Sequence, residues 1–430
     1  MICIIMLMKL SDLNKIINIK KVVNYKANQN FSSITSNSKL VEKNSIFFYD
    51  HRSNNKNYLK EAIEKKASAV ITNSDQNINI TQFIVKDIDK QKENLLKNVY
   101  QYAPHQSLAV TGTNGKSSVV WYVANLLNQI KVKNKTIGTL GYYFNGRKIK
   151  ESFLTTPAYE ELIRYGYSKK KIKYNLIFEA SSHALQQNRL NKMLVDVAVL
   201  TNITDDHLDY HKTKQNYKNA KFKLFFKHLK KNGIAIINSR IKNITKLKKY
   251  LEKQNIKIIY FGLKNIFFYK KNNKIFLKIK KNNYHIKNFK LTSEIELDNL
   301  ECAISCCIAL GIKEKKIVNC LFKLNNPPGR LQRINYVKKK ASIIIDYAHT
   351  PDALKKILKS NIFDKKKPSL VFGCGGDRDK NKRKKMSEIA SKYSNKIYIT
   401  NDNPRWENPK LIRKKLLKYS PTAIEIADRK

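Results

Sequence analysis

The chain has 430 residues, 42% of them hydrophobic, enough for roughly three domains with cores of their own. Lys and Arg number 85 against 33 Asp and Glu, a formal charge of +52. That excess is mostly Lys spread along the whole chain beside abundant Asn, Ile and Tyr, so it argues against a nucleic-acid stripe and is equally suited to a polyanionic small substrate.

The opening run Met1-Ile-Cys-Ile-Ile-Met-Leu-Met8 is apolar but too short to span a bilayer, and it lacks a basic flank and a cleavage site. A cytoplasmic protein without membrane association is expected, with Met8 a more natural start than Met1. The six cysteines form no CxxC pair; Cys302 and Cys306 sit one helical turn apart with no companion His, which suits buried thiols in a reducing compartment.

Residues 1–104 read as a small N-terminal α/β domain, with strands at Ser45–Tyr49 and Ser68–Thr72 and a helix at Tyr58–Lys66. Next comes Ala109-Val-Thr-Gly-Thr-Asn-Gly-Lys-Ser-Ser118, an apolar strand breaking into a Gly-bearing turn and then a helix whose Val119, Val123, Leu126, Leu127 and Ile130 share one face. This is a cradle for a nucleoside triphosphate. Gly112 and Gly115 let backbone N–H groups turn toward phosphate oxygens, Lys116 reaches the outer phosphates and the Ser117 hydroxyl suits Mg²⁺. Thr113, Asn114 and Ser118 complete the ATP loop. The first glycine of the generic phosphate-loop pattern would fall at Val110 and is missing.

Residues 105–328 form the central domain, a P-loop ATPase with a parallel sheet. Polar residues follow strand tips: Glu179 after Asn175–Phe178, and Thr201-Asn-Ile-Thr-Asp-Asp-His207 after Val195–Leu200. In an open parallel sheet, ligands bind beyond the carboxyl ends of the strands, so these tips should converge on the loop. The stretch from about 241 to 291 reads as a β-meander with Asn-rich turns, followed by a helix from Asp298 to Leu310. Residues 329–430 form a third, Rossmann-like unit. Its strands Ser342–Ile345, Ser369–Phe372 and Lys396–Thr400 each precede a polar cluster.

The strings Thr155-Thr-Pro, Glu179-Ala-Ser-Ser-His-Ala-Leu185, Thr201–His211, Tyr217-Lys-Asn-Ala-Lys221, Pro328-Gly-Arg330, Asp346-Tyr-Ala-His-Thr-Pro-Asp352 and Asp402-Asn-Pro-Arg405 occur in one order. With the shortened loop Thr-Gly-Thr-Asn-Gly-Lys-Ser, they resemble the Mur ligase family over nearly the whole chain. The resemblance implies a three-domain α/β architecture and an ATP-dependent acid–amino-acid ligase of peptidoglycan synthesis, using Mg²⁺. It implies that meso-2,6-diaminopimelate is added to UDP-N-acetylmuramoyl-L-alanyl-D-glutamate through an acyl phosphate, by a monomer with small-molecule partners and no nucleic acid. Lys116, His207 and Lys221 would be catalytic, with Asn299, Arg330 and Asp346 on ATP and Ser117, Glu179, His207 and Lys221 at the metal. Lys221 would act as N6-carboxylysine. A structural salt bridge for Glu179 and a capping role for His207 are the plain alternatives.

Ser38, Thr155, Thr156, Ser181, Gln187 and Arg189 match contacts to the UDP-muramoyl dipeptide; Asn37 and Lys39 depart from the pattern around Ser38. Arg378, Asp402, Asn403, Pro404 and Arg405 match the diaminopimelate-reading residues. Glu296 replaces the first Asn of the family's F-N-x-x-N segment, and a G-K-G-H-E segment is expected beyond Lys430, so the third domain reads as incomplete. The alternatives are a non-catalytic remnant that binds nucleotide, the lysine-adding ligase of the same family, and folylpolyglutamate synthetase, which shares the loop but leaves Asp402–Arg405 without a role.

Overall fold

A computed structural model describes residues 8–52, 55–272, 274–336, 341–363, 366–377 and 379–429. The chain forms two compact units, residues 1–105 with 157–174, and residues 106–156 with 175–430. In the first, strands Ser33–Thr35, Ser45–Tyr49, Ala69–Thr72 and Thr81–Ile84 run parallel, and Lys21–Val23 closes the edge antiparallel. Its helix begins at Lys56, two residues before the expected start, because the Asn55 side chain accepts from the Asn57 amide and caps it.

The second unit is built on an eleven-stranded sheet among the described residues. Its centre is parallel: Asn134–Gly138, Asn175–Glu179, Gln106–Thr111, Val195–Leu200, Leu229–Asn238 and Lys257–Phe261 lie side by side. These strands read as unbroken apolar runs because both faces are covered; Leu108, Val110, Ile177 and Val199 are fully enclosed. Helix Lys116–Gln129 covers one face with Val119, Val123, Leu126 and Leu127, and packs against helix Glu294–Ala309. In register, Glu179 lies opposite Val110 and Leu200 opposite Thr111, so three strand tips end together where the phosphate loop begins.

Two expectations need correction. The stretch 241–291 is not all meander: Thr245–Lys253 is a helix whose Leu247 and Leu251 are buried one turn apart, and Lys257–Phe261 is a parallel strand. Only Ile266–Lys271, Lys274–Ile279 and Asn282–His285 form the antiparallel meander. The helix expected from Asp298 starts at Glu294, because Ser293 and Glu296 make a reciprocal capping box.

After residue 329, Gln332–Tyr336 pairs antiparallel with Ala341–Ile345, while Leu370–Phe372, Ile397–Ile399 and Ile424–Glu425 form a separate parallel sheet. Helices Asn381–Tyr393 and Pro409–Leu417 bury Met386, Ala390, Ile412 and Leu416 with that sheet. Among the described residues, no helix is long and apolar enough to cross a membrane.

Candidate functional site

The loop after strand Gln106–Thr111 is shaped by contacts that exclude side chains. A Cβ on Gly112 would stand 1.9 Å from Thr201 Oγ1, and one on Gly115, whose φ is +85°, would stand 2.2 Å from Asn299 Oδ1. The neighbouring strand tip holds the loop: Asn202 accepts from the Thr113 and Asn114 amides at 3.1 and 2.9 Å, and Thr201 Oγ1 donates to the Asn114 carbonyl at 2.7 Å. The Asn114 side-chain nitrogen is buried without a partner, a donor facing no acceptor inside a cradle of amides. Such a cradle fits phosphate.

Two lysines converge here. Lys116 Nζ donates to the carbonyls of Gly112 and Thr113, both at 2.9 Å, and Lys221 Nζ donates to the same Gly112 oxygen at 2.8 Å. Burial lowers the pKa of Lys116. Lys221 falls well below the usual lysine range, through burial first and the Lys116 charge second. Tyr217 braces Lys221 and the loop; its hydroxyl lies 3.1 Å from Thr113 Oγ1 and its ring 4.2 Å from Lys221 Nζ.

Glu179 and Ser117 line one small cavity of ≈ 50 Å³ behind the loop. The Glu179 carboxylate accepts from the Thr139 amide at 2.7 Å, and Gly138 lies so close that a Cβ there would meet it at 2.3 Å. Arg330 extends to Ser117, its NH2 3.5 Å from the hydroxyl oxygen, and stacks over Tyr347 at 4.2 Å. Asp346 holds the Arg330 turn, accepting from the Leu331 amide at 2.8 Å and the Ala348 amide at 2.7 Å. On the other side of the loop, a cleft of ≈ 480 Å³ is lined by Thr201, Asn202, Tyr217, Asp298 and Asn299. It is large enough to take a nucleoside.

His207 starts a short helix with φ +54°, its Nε2 3.2 Å from Asp206 Oδ2. Burial pushes its imidazole down to about 3, so it is neutral near pH 7. Asp206 is buried, which opposes its charge, yet a hydrogen bond from His349 and the nearby His207 hold its carboxyl below the usual range. Asp206 and His349 lie inside the matching strings, but nothing in their local sequence marks them as partners.

The residues matched to the muramoyl dipeptide form one linked group. Thr156 Oγ1 donates to the Glu179 carbonyl at 2.7 Å and accepts from the Ser181 amide at 2.9 Å; Ser181 Oγ accepts from the Ala184 amide at 3.2 Å. Arg189 donates to the Thr156 carbonyl at 2.8 Å and through Nε to Gln187 Oε1 at 2.9 Å, while Gln187 Nε2 donates to the Tyr210 hydroxyl at 3.2 Å. Thr155 joins through Thr139, 3.1 Å between hydroxyls. In the other unit, Ser38 donates to Glu61 at 2.7 Å and Asn37 caps Lys39 at 3.0 Å, so that segment is an ordered polar turn.

Asp402 to Arg405 form a tight turn on the glycines after strand Leu370–Phe372. Gly376 donates to the Asn403 carbonyl at 2.9 Å, a Cβ on it would fall 1.8 Å from the Pro404 oxygen, and Arg405 NH1 donates back to the Gly376 carbonyl at 2.6 Å. Beneath the turn, enclosed Arg383 binds Glu407 at both carboxylate oxygens, 2.7 Å each. Sequence reasoning missed this brace, because a single Arg and Glu in a charge-rich stretch give no signal. Arg378 lies outside the described residues.

Residues 110–307 match the Mur ligase middle domain and residues 329–430 the Mur ligase, glutamate ligase domain. The chain is similar to the UDP-N-acetylmuramoyl-L-alanyl-D-glutamate--2,6-diaminopimelate ligase of Rickettsia bellii, 40% identical over 93% of this chain and 86% of that one. It is 34% identical to the ligase of the same name from Wigglesworthia glossinidia brevipalpis, over 88% of this chain and 80% of that one. A solved structure of a ligase with this name superposes with a TM-score of 0.62 at 27% identity, covering 99% of this chain and 89% of that one. MurF from Acinetobacter baumannii shares the fold, with a TM-score of 0.71 at 15% identity over 98% of this chain and 90% of that one.

Proposed function

We propose that this chain, which belongs to the Mur ligase family, is the ATP-dependent ligase of peptidoglycan synthesis that joins meso-2,6-diaminopimelate to UDP-N-acetylmuramoyl-L-alanyl-D-glutamate. The observation that carries the reading is the meeting of buried Lys116 and Lys221 on one carbonyl of the phosphate loop, with Glu179 and Arg330 close by. In the first step a substrate carboxylate oxygen attacks the γ-phosphorus of ATP, giving an acyl phosphate and ADP. The diaminopimelate amine then attacks the acyl carbon, an amide forms, and phosphate leaves with release of the amine proton. Both steps bring anions together, and fixed cations and amides placed in advance are what lower such barriers.

Lys116 and the amides of residues 115–117 bind the phosphates, and Arg330 follows the charge that moves to the leaving oxygen. Ser117, Glu179 and His207 offer a hydroxyl, a carboxylate and a neutral imidazole, donors that fit Mg²⁺, which neutralises phosphate charge when bound. Lys221 is set up for carbamylation: burial favours loss of its ammonium proton, and the free amine can then add CO₂ with loss of a second proton, so that a cation becomes an anion. Labelling with ¹³CO₂ should give a carbamate carbon signal that disappears in Lys221→Arg.

Thr155, Thr156, Ser181, Gln187 and Arg189 line the path of the muramoyl dipeptide, with Ser38 the contact assigned to its uridine end. Arg405 carries five N–H donors in a fixed fork, of which one goes to Gly376; the rest suit the distal carboxylate of diaminopimelate. Asp402, Asn403 and Pro404 shape that turn. ADP release that depends on both UDP-N-acetylmuramoyl-L-alanyl-D-glutamate and meso-diaminopimelate is the test. Equal turnover with lysine would overturn the amino-acid assignment, and no turnover at all would leave only a nucleotide-binding protein.

A further inference from the structure

Among the described residues, one set of three metal-binding side chains brings its ligand atoms within 4.8 Å of one another: Asp206, His207 and His349. Asp206 Oδ2 lies 3.2 Å from His207 Nε2 and 3.6 Å from His349 Nε2. Donors about 2.0–2.2 Å from a shared ion lie roughly 3.0–3.6 Å apart, so these separations match the edges of a coordination polyhedron.

The orientation of His349 supports the same reading. Its Nδ1 lies 3.1 Å from the Tyr347 carbonyl oxygen, which holds the ring with Nε2 toward the Asp206 carboxylate. His207 is a non-glycine residue held at φ +54°, the kind of backbone strain that persists where function over-determines it.

We propose that Asp206, His207 and His349 form a second divalent-cation site, one that takes a borderline transition ion such as Zn²⁺ or Co²⁺ ahead of Mg²⁺. Two imidazoles and a carboxylate suit such ions, whereas Mg²⁺ favours oxygen ligands and retained water. Because His207 also belongs to the Mg²⁺ set of the proposed mechanism, the two ions compete for one imidazole. A transition ion bound here withdraws His207 and opposes ligation. The site exists only while the segment carrying His349 rests against the strand tip carrying Asp206.

The test is a titration of the full chain with Co²⁺ in excess Mg²⁺, read by visible ligand-field absorption and by displacement with Zn²⁺. The expected result is a saturable Co²⁺ spectrum that Zn²⁺ abolishes, with affinity at least about tenfold weaker in His349→Ala and in Asp206→Asn. His285→Ala, on the meander, should leave the titration unchanged. The His349 side chain is 42% exposed, so its loss leaves the core intact. Equal Co²⁺ affinity in wild type and His349→Ala, or displacement of Co²⁺ by Mg²⁺ at matched concentration, would overturn the proposal and reduce the contact to an ion pair.

Discussion

Replacing Gly115 with alanine tests the loop geometry directly. The residue sits at φ +85°, and a Cβ there would lie 2.2 Å from Asn299 Oδ1. An ordinary carbon–oxygen contact is about 3.3–3.6 Å, so Asn299 must retreat by roughly 1 Å. Left-handed backbone costs an L-residue about 1–2 kcal/mol, and forcing an atom into a packed site adds about 1–3 kcal/mol. The unfolded-state gain from removing a glycine, about 0.4–1 kcal/mol, is too small to reverse the sign. The net is a loss of about 1–4.5 kcal/mol, measurable by denaturant unfolding, with weaker binding of a fluorescent ATP analogue. Adding Asn299→Ala separates the two causes, since it removes the overlap and leaves the backbone strain. The double variant should therefore recover about 1–3 kcal/mol relative to additive single effects. Strict additivity would refute the claim that Asn299 and Gly115 share one space.

Three further outcomes are expected. Glu296 accepts from the Thr292 and Ser293 amides at 3.0 and 2.9 Å and from Asn326 at 2.6 Å, so Glu296→Ala should cost about 1.5–3 kcal/mol in chemical unfolding, and nucleotide affinity should fall less than stability. The Arg383 hydrogen bonds hold Glu407 down to about 2, so the pair stabilises the folded chain above the unfolded carboxylate range, and that stability is lost as pH falls through the folded value. Glu407→Gln should accordingly be less stable than wild type at neutral pH by about 3–5 kcal/mol, and the gap should close between roughly pH 4 and pH 2. His211 is lowered to about 4 by burial, with further contributions from His183 and Lys221, so its proton is taken up by the unfolded chain first. Stability should fall as pH drops from roughly 6.5 to 4, by at most about 1.4 kcal/mol per pH unit, and His211→Gln, read by thermal unfolding across that range, should flatten the slope.

Much of the site was legible because its chemistry sits at strand ends. Apolar runs buried on both faces read as strands, and each polar string after such a run, Glu179 after Phe178 and Thr201 after Leu200, lands beside the loop. What escaped the sequence was of two kinds. The helix Thr245–Lys253 was hidden by its lysines, although Leu247 and Leu251 carry the one-turn spacing of a buried face. Glu296 reads from the sequence as a departure from a pattern, yet Ser293-Glu-Ile-Glu296 is itself a helix-start signature, and the structure uses Glu296 to fasten that start to Asn326. Pairwise contacts across long separations leave no local trace, which is why the Arg383–Glu407 brace and the Asp206–His349 contact appear only in three dimensions.

The Gly112 carbonyl explains why residues so far apart in the chain must meet. A phosphate loop needs one lysine, and Lys116 supplies it from the helix that follows. A second lysine on the same oxygen repels the first inside a buried site, where charges are poorly screened, so the pair is strained unless an anion arrives or one amine loses its proton. Both routes serve the proposed ligation: ATP brings the anion, and Lys221, already pushed well below the usual lysine range, gives up the proton and can carry a carbamate. Arg330 and His349 then reach the same region from beyond residue 329, one at Ser117 and the other at Asp206. In the proposed ligase, the phosphate end of the site therefore draws Arg330 from the last part of the chain, a residue that no reading of the loop alone would supply.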